Sequence, residues 1–402
     1  ISGLIAAQVL ENYGYAPTVI EATDRVGGRV KTDLVNGYHL DQGFQVLLTA
    51  YPAAQKYLDY DALDLQPFLP GASIFKSSKQ KIIVDPLRNL SLLFPTLFSG
   101  IGNFSDKFKI LKLNQKLKKK SLEAIFSEPE QSTQEYLEKL GFSNGIITDF
   151  FKPFFSGIFL ETQLETSSRM FEFVYKMFGE GQATLPKAGI EAIPKQLLTN
   201  LKTTSFRYNT KVESLKDGEI VLKDGAKLES HYTIVASEAN NLISNLKNQS
   251  TEWKSCTTLY FETVTRVITK KLIGLIPKSE SLINNIFYNS SLESVHNPQN
   301  ELLSVTVIDH KGLSKELLIK SIQKELEEFC GINGTKFIKL YNIPKALPKL
   351  EDLKYEIMPS ETRLTDSLFL AGDTQLNASL NAALISGERA ALGVIESIET
   401  SL

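Results

Sequence analysis

The stretch Val19-Ile20-Glu21-Ala22-Thr23-Asp24-Arg25-Val26-Gly27-Gly28-Arg29-Val30 decides the fold. It reads as a short β-branched strand over residues 17–22, ending in an acid, followed by a tight turn whose glycines let backbone amides face a phosphate. Ahead of it, Ile1, Leu4, Ile5, Val9 and Leu10 recur at the spacing of one helical face, and Gly14 follows as a C-terminal stop. Helix then strand is the second half of a βαβ unit. Gly3, Ala6 and Ala7 cluster small residues on that helix, which lets its N-terminus approach a strand and a phosphate closely. Glu21 stands where a ribose-binding carboxylate belongs in a dinucleotide fingerprint, and an acid there favours a free 2′-hydroxyl. A solvated glutamate at a strand end is the competing reading.

A second glycine-punctuated motif lies near the other end. Leu368-Phe369-Leu370-Ala371-Gly372-Asp373 reads as a strand and a turn, and Leu380-Asn381-Ala382-Ala383 as the start of a helix. A ligand long enough to touch both motifs is a dinucleotide. The chain begins inside a helical pattern, so the first strand and first two fingerprint glycines are expected upstream of Ile1. On that reading these 402 residues bind the ligand weakly, and a version extended by the strand binds it tightly.

Length and composition set the class. A chain of 402 residues exceeds one ordinary core, which favours two domains. With 42% hydrophobic and 22% charged residues, it is neither disordered nor membrane-spanning. A net charge of −2 gives no global attraction to nucleic acid. Cys256 and Cys330 are far apart and lack metal-ligand spacing, so neither a disulfide framework nor a metal site is signalled, and a reducing cytoplasm is the expected setting.

Between the two motifs the texture changes. Residues 69–120 read as loops and helices, broken at Asp85-Pro86, Phe94-Pro95 and Ser99-Gly100. Within 107–120, seven lysines interleave with Phe108, Ile110, Leu111, Leu113 and Leu117, a pattern that could lie peripherally on an anionic membrane or form a solvated helix face. Residues 150–178 are the most aromatic part of the chain and read either as core or as the wall of an apolar pocket, with Phe154 and Phe159 as candidates for the latter. Residues 185–189 read as a loop entering a helix near Glu191. Residues 206–228 read as a β-meander with turns at Lys216-Asp217-Gly218 and Lys223-Asp224-Gly225. Strand-like runs at 257–261, 285–288, 302–308 and 337–343, with an amphipathic helix at 315–329, build a second sheet. The expected fold is α/β plus α+β. A Rossmann-like, glutathione-reductase-like dinucleotide domain (1–68, 180–250, 360–402) accompanies a discontinuous substrate domain of mixed sheet and helices (69–179, 251–359).

With these residues in place, the chain resembles the flavin-containing amine oxidase superfamily, nearest its phytoene-desaturase-like and protoporphyrinogen-oxidase-like members. The resemblance rests on Ile1-Ser2-Gly3-Leu4, residues 21–29, Asp41-Gln42-Gly43-Phe44-Gln45, residues 185–194, and Ala371-Gly372-Asp373 with the helix after it. It implies non-covalent FAD. Ser2 and Gly3 would belong to the helix start, Glu21 and Ala22 to the ribose site, and Gly27, Gly28 and Arg29 to the pyrophosphate loop. Gly43, Phe44 and Gln45 would run beside the isoalloxazine, and Val212 beneath adenine. Gly372 and Asp373 would border the pyrophosphate and ribityl chain, with Leu380 and Asn381 at the flavin's pyrimidine edge. Both cysteines fall in the second domain, so no cysteine is expected near the flavin.

The implied activity is removal of a hydride from a C–N or C–C bond of a small, fairly apolar substrate. No catalytic acid or base is demanded, and His39, His231, His296 and His310 stand in no catalytic pattern. Two other readings share features of the chain: a non-catalytic prenyl-protein escort of the dissociation-inhibitor type, and an NAD-dependent dehydrogenase. The retained Glu21 acid, Gly27-Gly28-Arg29 loop and Ala371-Gly372-Asp373 turn weigh against the escort. The strand and helix returning from the C-terminal end weigh against the dehydrogenase.

Overall fold

A computed structural model describes residues 1–76, 79–84, 100–246, 250–296 and 298–400. The apolar spacing at the start forms a helix, Ser2–Asn12, and Gly14 takes the left-handed φ of +86° that ends it. The chain then enters the strand Thr18–Ile20, which pairs in parallel with Ser205–Arg207. A second parallel pair joins Thr233–Val235 to Leu368–Leu370. The long helix Leu380–Thr400 follows and packs across Ser2–Asn12. That crossing is close: a Cβ on Gly387 would stand 2.3 Å from the Ser2 carbonyl oxygen. The expected meander is present as Val212–Lys216, Glu219–Leu222 and Lys227–Glu229.

The second sheet has seven strands in the order Lys336–Pro348, Trp253–Thr263, Glu301–Val307, Asn285–Tyr288, Ile273–Leu275, Gly71–Lys76 and Lys79–Val84. All neighbours are antiparallel except Ile273–Leu275 with Gly71–Lys76. One face is covered by the amphipathic helix Lys315–Cys330, which buries Leu318, Ile322 and Leu326.

Two expectations are corrected here. The stretch read as loops and helices contributes the hairpin Gly71–Lys76 and Lys79–Val84; the breakers at 85–99 lie outside the described residues. The supposed loop at 185–189 begins as the strand Ala183–Pro186, central in a three-stranded sheet between Leu47–Leu48 and Leu65–Pro67. Proline at its end closes the strand without a lost ladder bond.

The aromatic stretch folds as a π-helical turn, Ile147–Phe151, running into the helix Lys152–Phe159, and then as the helix Ser168–Glu180. Phe151, Phe155, Phe159 and Phe171 are fully buried and pack ring to ring, while buried Phe173 packs on Tyr51 and Phe126. At roughly 1.5–3 kcal/mol for each buried large side chain, this cluster is a main source of stability on that side of the molecule. It places Phe150 and Phe154, on the same helical run, against open space.

Candidate functional site

A cavity of about 1070 Å³ is lined by the start of the first helix, the glycine turns, the aromatic helices and the seven-stranded sheet. Ser2, Gly27, Gly28, Arg29, Gly43, Phe44, Gln45, Gly372, Asp373 and Leu380 line it, as do Phe154 and Phe159. The two ends of the sequence meet directly there: Arg29 Nη2 lies 2.5 Å from Asp373 Oδ1. The guanidinium also donates to Ala346 O and stacks over the Trp253 ring at 5.1 Å.

Glycine is needed at the turns. Gly27, Gly43 and Gly372 adopt φ of +116°, +101° and +145°, which L side chains rarely reach. Gly28, at +61°, leaves open space where a Cβ would point. Two helix N-termini reach the same cavity, with Ile1 and Ser2 at one and Leu380 and Ala383 at the other, and neither first turn carries an acid. Unpaired amides and the positive ends of two helix dipoles therefore converge with Arg29 on one space, the electrostatics an anionic phosphate needs.

The loop at 42–45 is held from behind. Gln45 Nε2 donates to Arg29 O and Gln42 O, both at 3.0 Å. Buried Asp41 accepts at Oδ1 from Thr32 Oγ1 (2.6 Å) and Ile190 N (3.0 Å), while Thr32 Oγ1 accepts from Glu191 N (3.0 Å). Glu191, 2% exposed, faces Arg25 at 3.2 Å and Lys195 at 3.3 Å. Burial pushes the Asp41 carboxyl up to about 6 against these hydrogen bonds. A carboxyl raised in the folded state contributes stability at low pH that is lost as pH rises through its folded value. Between pH about 4 and about 6, the protein should therefore lose up to about 3 kcal/mol relative to Asp41→Asn. Denaturation midpoints of both proteins at the two ends of that window check this, and parallel curves would refute it.

Five sequence candidates stand outside the cavity wall. Gly3 packs on Ala236, whose Cβ is 3.4 Å from where a Gly3 Cβ would lie. Glu21 closes the first strand pair through its backbone, and its Oε1 accepts from Thr23 N and Oγ1 at 2.8 Å each. Ala22 is exposed. Val212 begins the meander and packs in the cluster with Leu215 and Ile20. Asn381 is fully buried, with Oδ1 accepting from Ala53 N at 2.9 Å, so it braces the start of the helix Pro52–Tyr57.

The second sheet supplies residues that the sequence reading missed. Lys254 Nζ donates to Phe159 O and Thr166 Oγ1, each at 3.0 Å, and burial lowers its pKa. Cys256, two residues on, faces the same cavity. Its strand partner Ile343 has a Cδ1 atom 3.0 Å from where a Gly43 Cβ would lie. A cysteine therefore does stand near the segment assigned to the isoalloxazine, contrary to expectation, because the second sheet folds over the first motif. Burial pushes its thiol up to about 11, which keeps it protonated and poorly nucleophilic. Lys254 and Cys256 flank a register shift of Trp253–Thr263 against Lys336–Pro348, so no simple alternation in the sequence marks either side chain. None of the four histidines lines the cavity.

Parallel strand pairs, glycine turns and two helix N-termini closing on one cavity define a dinucleotide-binding fold with a covering sheet. The chain belongs to the family described as flavin containing amine oxidoreductase, which it matches over residues 1–395. The family's cofactor is FAD, and the residues present fit it: four cavity-lining glycines at positive φ, a guanidinium and two helix N-termini converge on one cavity. Protoporphyrinogen oxidase 2 of Arabidopsis thaliana is 30% identical over 163 residues, which are 39% of this chain and 30% of that protein. An L-amino-acid oxidase of Protobothrops flavoviridis is 26% identical over 254 residues, 59% of this chain and 50% of that one. The alignments thus span about a third to a half of these relatives' length. In fold, the chain is similar to a putrescine oxidase solved with putrescine (TM-score 0.70, 16% identity, covering 98% of this chain and 97% of that one). It is equally similar to an oxidoreductase of Methanosarcina mazei (TM-score 0.71, 16% identity, 99% and 98%). No described helix is long and apolar enough to cross a membrane.

Proposed function

We propose that this chain is an FAD-dependent oxidase or desaturase that takes a hydride from a C–N or C–C bond of a small, fairly apolar substrate. One observation carries the reading: a single cavity of about 1070 Å³ joins the glycine turns to an aromatic wall. That exceeds the roughly 300–1,000 Å³ typical of a pocket for one ligand and leaves room for a substrate beside the cofactor. Residues 1–68, 180–250 and 360–402 form the cofactor side, and 69–179 and 251–359 the substrate side.

When bound, FAD supplies the two-electron acceptor chemistry. The rest belongs to the chain. Gly27, Gly28 and Arg29 would hold the pyrophosphate, Gly372 and Asp373 would border the pyrophosphate and ribityl chain, and Glu21, Ala22 and Val212, which stand outside the cavity wall, are assigned to the ribose and adenine. The helix starting at Leu380 directs its positive end into the cavity and so favours a reduced, negatively charged ring system. Phe150, Phe154 and Phe178, packed at 5.6 Å from ring to ring, exclude water from the substrate side. Lys254 is the partly buried cation of that wall, fixed by two hydrogen bonds.

Anaerobic mixing with a panel of amines, porphyrinogens and polyenes tests the reading, because the compound that bleaches the flavin absorbance is the reductant. A purified protein that carries no flavin and binds a prenylated peptide would instead support the escort. The lysine-rich segment 107–120 contributes a peripheral contact with an anionic surface.

A further inference from the structure

The helix Phe104–Lys119 carries two different faces. Leu113 and Leu117 point inward and are buried, while Lys107, Ile110, Leu111 and Asn114 line the cavity. Outward, Phe104, Phe108, Lys112, Gln115 and Lys119 follow one another at steps of three and four, and all are exposed. Phe104 is 73% and Phe108 70% exposed, among the most exposed large apolar side chains of the described residues.

The start of this helix is fixed rigidly. Asn103 Oδ1 accepts from Asp106 N, and Asp106 Oδ2 accepts from Asn103 N, a reciprocal cap. Asp106 is fully buried and also accepts from Ser143 N and Oγ. The two phenyl rings are therefore presented outward by a pinned first turn. Asp106 is the one acid of the helix and faces inward, so the outward face has no negative charge of its own. Lys116 and Lys120 pair with the buried Glu172, and Lys120 also with Glu128. Among the described residues, Lys112, Lys118 and Lys119 enter no ion pair.

We infer that this face docks on an anionic lipid bilayer, with Phe104 and Phe108 inserted at the acyl boundary and Lys112, Lys118 and Lys119 on the head groups, so that the cavity mouth beside Lys107 and Leu111 opens onto the lipid. Two apolar side chains at one end and unpaired cations along the rest match what an interfacial helix needs: apolar insertion added to electrostatic attraction. An anionic surface is selected over a neutral one because the face carries cations only. The inference rests on the apolar-substrate reading for its purpose but not for its test, since vesicle binding requires neither flavin nor turnover.

The experiment is co-sedimentation of the full chain with phosphatidylcholine vesicles, with and without phosphatidylglycerol, at low and high salt. Thermal melts of each variant monitor folding. Binding to the anionic vesicles is expected, weakened by salt. Phe104→Ser with Phe108→Ser should lower it about tenfold or more, as should Lys112→Glu with Lys119→Glu. All four side chains are exposed, so the melts should stay at the wild-type value. Retention in the supernatant overturns the inference, as does equal binding to neutral vesicles or undiminished binding by folded variants. Loss of a dimer in the phenylalanine variant without any vesicle binding would assign the face to a second copy of the chain and also overturn it.

Discussion

Gly387→Ala should destabilise the protein by on the order of 3 kcal/mol and strip it of flavin, whereas Gly179→Ala should do neither. The added methyl on Gly387 would stand 2.3 Å from the Ser2 carbonyl oxygen and 3.0 Å from its Cα, both backbone atoms that cannot rotate away. The helices Ser2–Asn12 and Leu380–Thr400 would have to separate by about 1 Å to restore ordinary contact. Their N-terminal ends are the two positive dipoles at the cavity, and Ser386, the neighbour of Gly387, accepts from Gly372 N at 3.0 Å. One displacement therefore moves Ser2, Gly372 and Leu380 together. Gly179 lies near the end of the helix Ser168–Glu180, and a methyl there meets nothing within 4 Å. Removing its backbone freedom should stabilise by up to about 1 kcal/mol. Thermal melts and flavin absorbance per chain read both outcomes, and an unchanged melt for Gly387→Ala would falsify the account of the crossing.

What was legible in the sequence follows from the range of the signals. The first helix, the strand before Glu21, the meander and the Lys315–Cys330 helix are encoded locally, by apolar period and by glycine at turns, and they formed where the pattern placed them. The hairpin Gly71–Lys76 and Lys79–Val84 was hidden because Lys76, Lys79, Gln80 and Lys81 dilute the apolar run. Its place is set by pairing to Ile273–Leu275, nearly two hundred residues away. Ala183–Pro186 is a strand for the same reason, since its partners Leu47–Leu48 and Leu65–Pro67 lie far upstream.

The site divides along the same line. The glycines, Arg29 and Asp373, which the structure brings to one cavity, could be picked from local motifs because tight turns at positive φ impose their residue types. Lys254 and Cys256 could not, because they reach the cavity only through the packing of the second sheet against the first motif, which no local motif announces. Asn381 misled for the opposite reason. It stands at a helix start, as a ligand-facing residue would, yet its side chain turns inward to Ala53 N.

The aromatic stretch, read from sequence as either core or pocket, is both, and the two candidates part company. Phe154→Ala should raise the KM or Kd for substrate with flavin content and melting temperature near the wild-type values. Phe159→Ala should cost about 3–5 kcal/mol and release flavin as the fold loosens. Phe154 is only half-buried, stacks on Phe150 at 5.6 Å and faces the cavity, so truncating it enlarges existing open space. Phe159 is 1% exposed and packs at 5.5 Å on Phe155, itself 4.6 Å from Phe171, so its loss leaves a void in the stacked cluster. Its carbonyl also accepts from Lys254 Nζ, and relaxation of the helix end into that void would shift the cation of the cavity wall. The sequence reading gave both rings as candidates for one pocket wall; burial predicts a split. Melting curves, flavin absorbance and substrate titration on the two variants decide it, and identical behaviour of Phe154→Ala and Phe159→Ala would show that the half-buried ring is core as well.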